Sequence, residues 1–592
     1  MADESKTFDK FTAINELARR RGFFWQSYEI YGGASGFATY GYLGARVKQN
    51  IERKLRELFV YELGIMEIES PVITPEKVFE ASGHIDHFKE PMVECLKCKK
   101  WFRADHLLRD VAKISESEAE RMSLAELKET IEKRKIRCPE CDGFFNEPRL
   151  FLTMFKTSIG PYSDAVGYGR PEAAQGIFVE FRRLYEMARE KLPFGAMQIG
   201  RALRNEISPR QGLVRLREFT IADLEFFYDP EKPDCYMLKD VENETLRLLL
   251  ARDRLEGGGD HRSNSEEITE VTVKEALKKK YIKAEWQAVF MALQKKLLVD
   301  LGVPAEKQRF IEKHPWERAH YSSETFDQEV LVERWGWLEV NACACRTDYD
   351  LKRHAEFSGQ DMYVFKDYEK PIEREQIVIK PVMAKLGPAF KKEAGKVAEM
   401  VAKTDPEKVE RALKKDGYFV LDEYRVLNEH VDIKHEKTLE RGRRFIPYVI
   451  EPTFGSDRLF YVAFEYAYQT KKDRTLLSFP RDIAPVQVGV YPLMSKDGLP
   501  EKSLELHKML LKEGIVAEYD DAGSIGRRYA RADEAGVSLG ITVDYDTLKD
   551  ETVTIRDRDT WKQVRSRIAE LPELLHKYFR CKINFEDLGT PI

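Results

Sequence analysis

RNEISPRQGLVRLREFTIADLEFF, residues 204–227, is the stretch on which the reading of this chain turns. Alternation through Leu213, Arg215, Arg217, Phe219 and Ile221 predicts a strand. Pro209 and Gly212 sit in the polar loop before it, so strand, turn and strand make an antiparallel hairpin. Such a hairpin can hold Arg204 and Arg215 over a polyphosphate, with the Phe219 ring nearby for a base to stack on. Arginine suits this task because its planar fork meets phosphate oxygens two at a time. Much later comes EPTFGSDRLFYVAFEYAY, residues 451–468, which passes from a strand-like run through Gly455 into a helix-like one. Arg458 then stands at the start of that helix. Each stretch alone could be an exposed charged hairpin or an ordinary helix start.

The bulk numbers set limits around this core. A chain of 592 residues is long enough for three or four domains. With 43% hydrophobic residues it can bury sizeable cores, and no run of about 18 apolar residues suggests a membrane span. The charged start, MADESKTFDKFTAINELARRRGFFW, lacks an apolar signal core, which points to the cytosol. A net charge of −5, from 97 basic and 102 acidic side chains, neither suggests nor excludes nucleic acid.

Four of the eight cysteines form two pairs, CLKC (Cys95, Cys98) and CPEC (Cys138, Cys141). In a cytosolic chain two CxxC turns suggest a structural zinc site ahead of disulfides, a redox pair or unliganded thiols. Residues 99–137 separate the pairs, and EAERMSLAELKETIEKRK within them is expected to be a charged helix.

Along the chain, residues 8–21 suggest a short helix, and a glycine-rich segment with Gly32, Gly33, Gly36, Gly41 and Gly44 leads into a long amphipathic helix over 44–61. Those glycines admit two readings, close approach to a ligand or a tight connector. GIMEIESPVITP alternates like a strand and stops at Pro71 and Pro75. Residues 229–330 are highly charged around the helical KEALKKKYIKAEWQAVFMALQKKLL, and residues 368–445 are charged again; both suggest insertions. From Val486 the chain alternates strands and helices, which predicts a small α/β domain with a largely parallel sheet.

Taken in order, EIYGGASGF, ASGHIDHF, CLKC…CPEC, FRADHL, RPEAAQGIFVEF, RNEISPRQGLVRLREFT, RTDYDL, EPTFGSDR and EYDDAGSIGRRYARADEAGVSLGITVDYDT resemble the class II aminoacyl-tRNA synthetases. Within that class the chain is similar, over nearly its whole length, to the glycyl-tRNA synthetase family of the dimeric, archaeal and eukaryotic-like type. The resemblance implies an α/β (α+β) fold built on an antiparallel sheet flanked by helices. It divides the chain into catalytic segments 1–90 (motif 1), 149–228 (motif 2), 331–367 and 446–475 (motif 3). Between them lie a zinc insertion 91–148 and insertions 229–330 and 368–445, with an anticodon-binding domain at 482–592. It also implies a ligase that adenylates glycine with ATP and passes it to tRNA, working as a homodimer with Mg2+ beside the nucleotide and a structural Zn2+ on the four cysteines.

By the same resemblance Arg204 holds the α-phosphate and the incoming carboxylate, Glu206 meets the adenine amino group, and Arg215 binds the γ-phosphate of a bent ATP. Phe219 stacks on adenine, and Arg458 covers its other face. Asn205, Val214, Leu216, Arg217, Glu218, Val340, Gly455, Ser456 and Asp457 complete the nucleotide site, and Glu339 is the magnesium candidate. Its plainer alternative is a solvated strand-edge carboxylate. For the amino acid, Glu172, Asp223 and Glu451 are expected to surround the ammonium, the Coulombic answer to a cation. Arg103, Phe219, Thr453 and Gly455 join them. This sequence departs from the family pattern at Ala173 (for Thr), Asp223 (for Glu), Ala342 (for Gly), Cys345 (for Asp) and Thr453 (for Ser). Glycine is selected by leaving no room for a side chain; Thr453 and Ala342 fill space, whereas Asp223 opens about one methylene, worth only ~1–3 kcal/mol of discrimination.

His84, His87 and His106 are read as polar or core residues, and Cys343 and Cys345 as buried. Arg527, Arg528, Arg531, Arg556 and Arg558 suggest contacts to RNA, against an ordinary charged surface balanced by Asp520, Asp521, Asp533 and Glu534. Two rival functions are an accessory subunit without chemistry and an enzyme that activates an amino acid without tRNA. The three arginines Arg204, Arg215 and Arg458 argue against the first, and the C-terminal domain against the second.

Overall fold

A computed structural model of the chain describes residues 9–592 apart from 115–117, 120, 162–164, 208, 210, 255–266 and 473. Its centre is a nine-stranded sheet. In chain order its strands are β1 (Met66–Glu67), β2 (Phe194–Leu203), β3 (Glu218–Tyr228), β4 (Thr245–Leu249), β5 (Thr269–Thr272), β6 (Gln308–Glu312), β7 (Glu324–Val332), β8 (Gly336–Thr347) and β9 (Tyr448–Gly455). They lie in the order β5–β4–β6–β7–β8–β9–β3–β2–β1. All pairings are antiparallel except β1 with β2 and β4 with β6.

Three helices cover this sheet: α1 (Tyr42–Leu55), α2 (Glu285–Asp300) and α3 (Ser456–Ala467). In α1 a spacing of four puts Leu43, Val47, Ile51 and Leu55 on one face, all fully buried. At ~1.5–3 kcal/mol for each fully buried apolar side chain, that face fixes the helix. Gly44 lets it approach the preceding chain: a Cβ there would lie 1.9 Å from the Phe23 carbonyl oxygen. Gly36 is similar, at φ +79 with Pro209 2.6 Å from a built Cβ. At these two positions the glycine-rich segment is therefore a tight connector. Helix α2 is buried from Trp286 to Gln294 and again at Leu297 and Leu298, with Lys295 and Lys296 turned outward. Helix α3 packs on α1 and β3.

Several expectations are corrected here. The strand predicted over 213–221 begins only at Glu218; Gly212–Val214 is a 3-10 turn. Leu213, Val214 and Leu216 are buried in the main core, so their spacing served packing rather than a pleat. The segment GIMEIESPVITP is two short strands in different sheets, β1 and Ile73–Pro75. Residues 229–330 contribute β4 to β7 (in part) and α2 to the central sheet and its core, so their charge reflects an outer surface. Helix KEALKKK…QKKLL breaks into Val273–Lys278 and α2.

Residues 89–152 carry a three-stranded sheet and the helix Leu124–Lys133, capped by Ser123 with Glu126 in reciprocal hydrogen bonds. A separate unit spans Tyr363–Ile446. There the long ribbon of Val364–Pro381 with Val431–Phe445 accompanies three helices around Leu386, Val397, Val401, Val409 and Leu413. The C-terminal sheet has six strands. Val488–Pro492 runs parallel to Ala517–Tyr519 and Leu539–Val543, but the next three pairings are antiparallel, so the sheet is mixed rather than largely parallel.

Candidate active site

The β2–β3 hairpin, the end of β8 and the β9–α3 junction enclose a cleft of about 290 Å³. Register builds it. Ala202 pairs with Phe219, Gly200 with Ile221, and Ile221 with Gly455. Phe219 therefore projects beside the small Gly455 at the helix start. The Arg204 guanidinium lies 5.4 Å from the Phe219 ring centre and 5.8 Å from that of Phe88, and its Nε donates to the Pro171 carbonyl at 3.1 Å. Arg458 crosses the cleft: its Nε donates to the Val214 carbonyl (3.1 Å) and Nη1 to the Glu339 carbonyl (2.8 Å). Arg215 Nε meets the Glu206 carboxylate at 3.0 Å. Glu339, half open to solvent, has its pKa held down because Arg458, Lys313 and Arg204 outweigh its partial desolvation. Leu216, Val340 and Thr453 also line the cleft.

The next rows of the same sheet face are acidic. Gln198, Asp223, Thr453 and Ala342 stand side by side on β2, β3, β9 and β8. One pleat further lies Glu451 opposite Ala344. Arg346, two residues beyond Ala344 on the same face, is fully buried. Its Nη1 donates to Glu451 Oε1 (2.7 Å), while Nε and Nη2 grip Asp350 (2.7 and 2.9 Å). The Tyr321 ring centre lies 3.5 Å from the guanidinium. Glu172 Oε1 receives Gln175 Nε2 at 3.1 Å and lies 3.1 Å from His84 Nε2 and 3.6 Å from Arg346 Nη2. Asp223 Oδ2 accepts the Ala173 and Ala174 amides at 2.6 and 3.2 Å, while its buried Oδ1 has no partner.

The electrostatics follow from crowding carboxylates in a dry place. Burial would raise Glu172, but His84 and Arg346 hold it far below the usual range. Burial and the Glu172 charge push Asp223 up to about 6. Glu451 rises to about 8, burial and its acidic neighbours outweighing Arg346. Glu225 is raised strongly by burial and by Glu451, and neither of its oxygens has a hydrogen-bond partner. Such a pocket is short of positive charge and suits one small cation.

Not every residue expected at the nucleotide points into the cleft. Arg217 donates to the Glu206 and Ser35 carbonyls (2.9 and 2.8 Å), closing the 204–217 loop. Glu218 projects from the opposite face, toward Arg201. Asp457 is committed inside: Oδ1 accepts Lys48 Nζ (2.7 Å) and Tyr40 Oη (2.5 Å), and Oδ2 the Thr220 amide (2.6 Å). Ser456 is fully buried. Asn205 is anchored through its amide to the Thr153 carbonyl (2.7 Å). Arg103 is bound to Glu90 (2.7 Å) and Asp105, and lines a neighbouring hollow with Glu206 and Arg215 rather than the acidic pocket. Cys345 lies on the core face of β8, away from the pocket, as does Cys343. Sequence reasoning missed Arg346, Asp350, Gln175, Glu225 and the role of His84. The signal for the first two was present in RTDYDL: an arginine and an aspartate four apart at a strand-to-helix junction.

Cys95, Cys98, Cys138 and Cys141 bring their sulfurs within 4.8 Å of one another. The Cys95–Cys141 and Cys98–Cys138 separations are 3.4 and 3.7 Å. A tetrahedron with metal–sulfur bonds of ~2.3 Å has edges of about 3.8 Å, so the four thiols fit a zinc ion. Gly143 closes the knuckle, since a Cβ there would lie 2.8 Å from the Cys95 sulfur.

In the C-terminal domain the arginines expected at RNA are mostly structural. Arg528 is buried and donates to the carbonyls of Pro492, Asp521 and Gly523. Arg531 binds Asp520, Arg556 binds Asp533, and Arg558 donates to the Gly536 and Phe479 carbonyls. Arg527 alone of the five is exposed without an ion pair among the described residues.

An antiparallel sheet with an arginine-bearing hairpin, an arginine at a following strand-to-helix junction and an appended α/β domain defines a class II aminoacyl-tRNA synthetase. The fold agrees with solved structures of that class at 12% identity and TM-score 0.50. These are a prolyl-tRNA synthetase of Giardia lamblia with prolyl-adenylate (95% of this chain, 74% of that one) and one of Cryptosporidium parvum with L-proline and AMP (98% and 81%). A family profile described as the anticodon binding domain matches residues 487–578. The glycine–tRNA ligase of Aeropyrum pernix is 45% identical over 591 residues, covering 99% of each chain. Those of Pyrococcus horikoshii (45%; 96% of this chain, 98% of that one) and Methanocaldococcus jannaschii (43%; 96% and 98%) are similar throughout. This chain belongs to the glycine–tRNA ligase family.

Proposed function

We propose that the cleft between Phe219 and Arg458 takes ATP and the acidic pocket next to it takes glycine. The enzyme attaches glycine to tRNA through a glycyl-adenylate. The observation that carries this assignment is continuity: the Asp223–Thr453–Ala342 row lies directly beside the Ile221–Gly455 row of the cleft. A carboxylate whose ammonium sits among Glu172, Asp223 and Glu451 is thereby pointed toward Arg204. In activation a glycine carboxylate oxygen attacks the α-phosphorus and the bond to pyrophosphate breaks. In transfer a terminal ribose hydroxyl of tRNA attacks the carbonyl carbon and AMP leaves.

The chain's own groups position and neutralise rather than react. Arg204 bridges the glycine carboxylate and the α-phosphate, and Arg215, released from Glu206, holds the γ-phosphate. Phe219 and Arg458 sandwich adenine, whose amino group is read by Glu206. Glu339 is the side chain for Mg2+, which when bound neutralises the phosphates. Zn2+ on the four cysteines is structural, because four protein ligands leave no open position. The homodimer contact is assigned to residues 44–61 and the segment that ends at Pro71, and residues 482–592 read the anticodon, with Arg527 the exposed cation. The test is ATP–pyrophosphate exchange with each of the twenty amino acids, then charging of total tRNA. Glycine alone should drive exchange; equal exchange with alanine would refute the pocket assignment. Light scattering that shows a monomer at micromolar concentration would refute the dimer.

A further inference from the structure

Residues 82–88, SGHIDHF, took no part in the roles above, yet they touch both halves of the site. His84 is fully buried at the start of the short helix His84–His87. Its ring stacks on Phe88 at 4.9 Å and is flanked by Phe79 at 5.5 Å, so it is held on both sides. Phe88 in turn lies under the Arg204 guanidinium. Nδ1 of His84 is 2.8 Å from Ser82 Oγ, the shorter of that hydroxyl's two contacts; the other is the Val78 carbonyl at 3.0 Å. A serine hydroxyl has one proton. Given to Nδ1 across the shorter contact, it leaves the ring hydrogen on Nε2. That nitrogen is buried, meets no other acceptor among the described residues and faces Glu172 Oε1 at 3.1 Å.

Glu172 precedes the helix Ala174–Val179 and has no regular element of its own to hold it. Its hydrogen bonds and ion pairs among the described residues all fall on Oε1: Gln175, His84 and Arg346. Oε2 is left for a ligand. A carboxylate gripped by one oxygen from three directions presents the other in a fixed place.

We propose that His84 is a positioning residue for glycine, holding Glu172 so that its second oxygen meets the substrate ammonium. This rests on the ammonium pocket proposed above. His84 touches neither ATP nor the reacting atoms; it acts through Glu172. Loss of its grip should weaken glycine binding and leave ATP binding and the chemical step nearly intact.

The experiment separates the two ring nitrogens. In His84→Gln the amide nitrogen reaches the place of Nε2 and keeps a donor for Glu172; in His84→Asn it reaches only the place of Nδ1. Charge-assisted hydrogen bonds of this kind are worth about tenfold or more in affinity. Glycine-dependent exchange should show the glycine KM raised about tenfold or more in His84→Asn, with the ATP KM within about twofold. In His84→Gln the glycine KM should stay within about threefold of wild type. Equal behaviour of the two variants, whether both impaired or both normal, overturns the inference, because a merely structural role does not distinguish the nitrogens. If His84→Asn does not fold, Ser82→Ala replaces it: a raised glycine KM there with a normal one in His84→Gln supports the inference, and any other pattern overturns it. Glu172→Gln is the control. A normal glycine KM in that variant refutes the ammonium pocket and this inference with it. A raised one beside a normal His84→Asn refutes the inference alone.

Discussion

Replacing Asp223 by asparagine should weaken the enzyme for glycine and strengthen its fold. Asp223 is buried, with Oδ2 under two backbone amides and Oδ1 unpartnered on the pocket face. An asparagine oxygen can take both amides, which turns the NH2 group to where the ammonium belongs. The lost charge-assisted contact and the new donor facing a donor together cost about 2–4 kcal/mol, a rise of roughly 30- to 1000-fold in glycine KM. Stability moves the other way. The folded pKa is raised from 3.8 to about 6, so the native state binds a proton that the unfolded chain has released. Stability from this group is therefore full below pH ~3.8 and is lost as pH rises through about 6. At ~1.36 kcal/mol per pH unit, the loss approaches about 3 kcal/mol above pH 7. Asparagine has no such loss. Without glycine, the melting temperature of the variant should exceed wild type by only about 1 °C near pH 4.5 and by about 3 °C at pH 8, for a cooperative unit of ~400 residues. Thermal unfolding across pH and glycine-dependent exchange read the two effects. A melting difference that does not widen with pH, or a glycine KM that does not move, refutes the reasoning.

Other substitutions report on the remaining parts. Arg204→Ala should lower exchange by about a hundredfold or more, ~3 kcal/mol, with the fold intact by circular dichroism, since the arginine's polar ties are one carbonyl and its own backbone. Cys138→Ala should abolish the content of about one zinc per chain seen by elemental analysis, and unchanged metal would refute the tetrathiolate site. Arg528→Ala should destabilise the C-terminal domain by about 3 kcal/mol, because several buried acceptors lose their donor. Arg527→Ala should leave melting unchanged and raise only the KM for tRNA, and a normal tRNA KM would remove this residue from the RNA contact.

What the sequence disclosed and what it concealed have physical reasons. The two arginine-bearing segments and the paired cysteines were legible because their chemistry is local: a hairpin, a helix start, a knuckle. The false strand over 213–217 arose because Val214 and Leu216 are buried in the main core while Arg215 and Arg217 reach outward, so a short loop packed on a core mimics a pleat. Residues 229–330 looked like an appendage because exposed charge dominates their composition. The edge strands they supply are recognised only by pairing with β6 and β7, and pairing partners far apart in sequence leave no local trace. Arg346 was half hidden for the same reason. Its spacing from Asp350 is local, but Glu172 and Glu451 come from distant segments, and only the fold shows that one buried cation is shared among the three. The C-terminal arginines erred in the opposite direction. Clustered in sequence, they disperse onto separate carboxylates and carbonyls, so a basic run became an internal bracing of loops.

The departures at Asp223 and Thr453 acquire a common meaning from register. The two residues are direct neighbours across the β3–β9 pairing, and both point into the pocket. Aspartate in place of glutamate removes one methylene from the wall; threonine in place of serine adds one methyl to it. The gain and the loss fall side by side, so the volume open to a substrate side chain is nearly conserved, although each change alone would alter it. Ala342 completes the same row on β8, where it adds a methyl to the floor. A pocket closed in this way excludes a Cβ by packing, which is worth only ~1–3 kcal/mol for one carbon. The carboxylates set a second condition, since every amino acid brings the ammonium and only the smallest can bring it close to Glu172 and Glu451 without displacing the wall. On the proposed pocket assignment, selectivity for glycine rests on the two terms acting through the same few ångströms of strand, and a change at one neighbour is felt at the other.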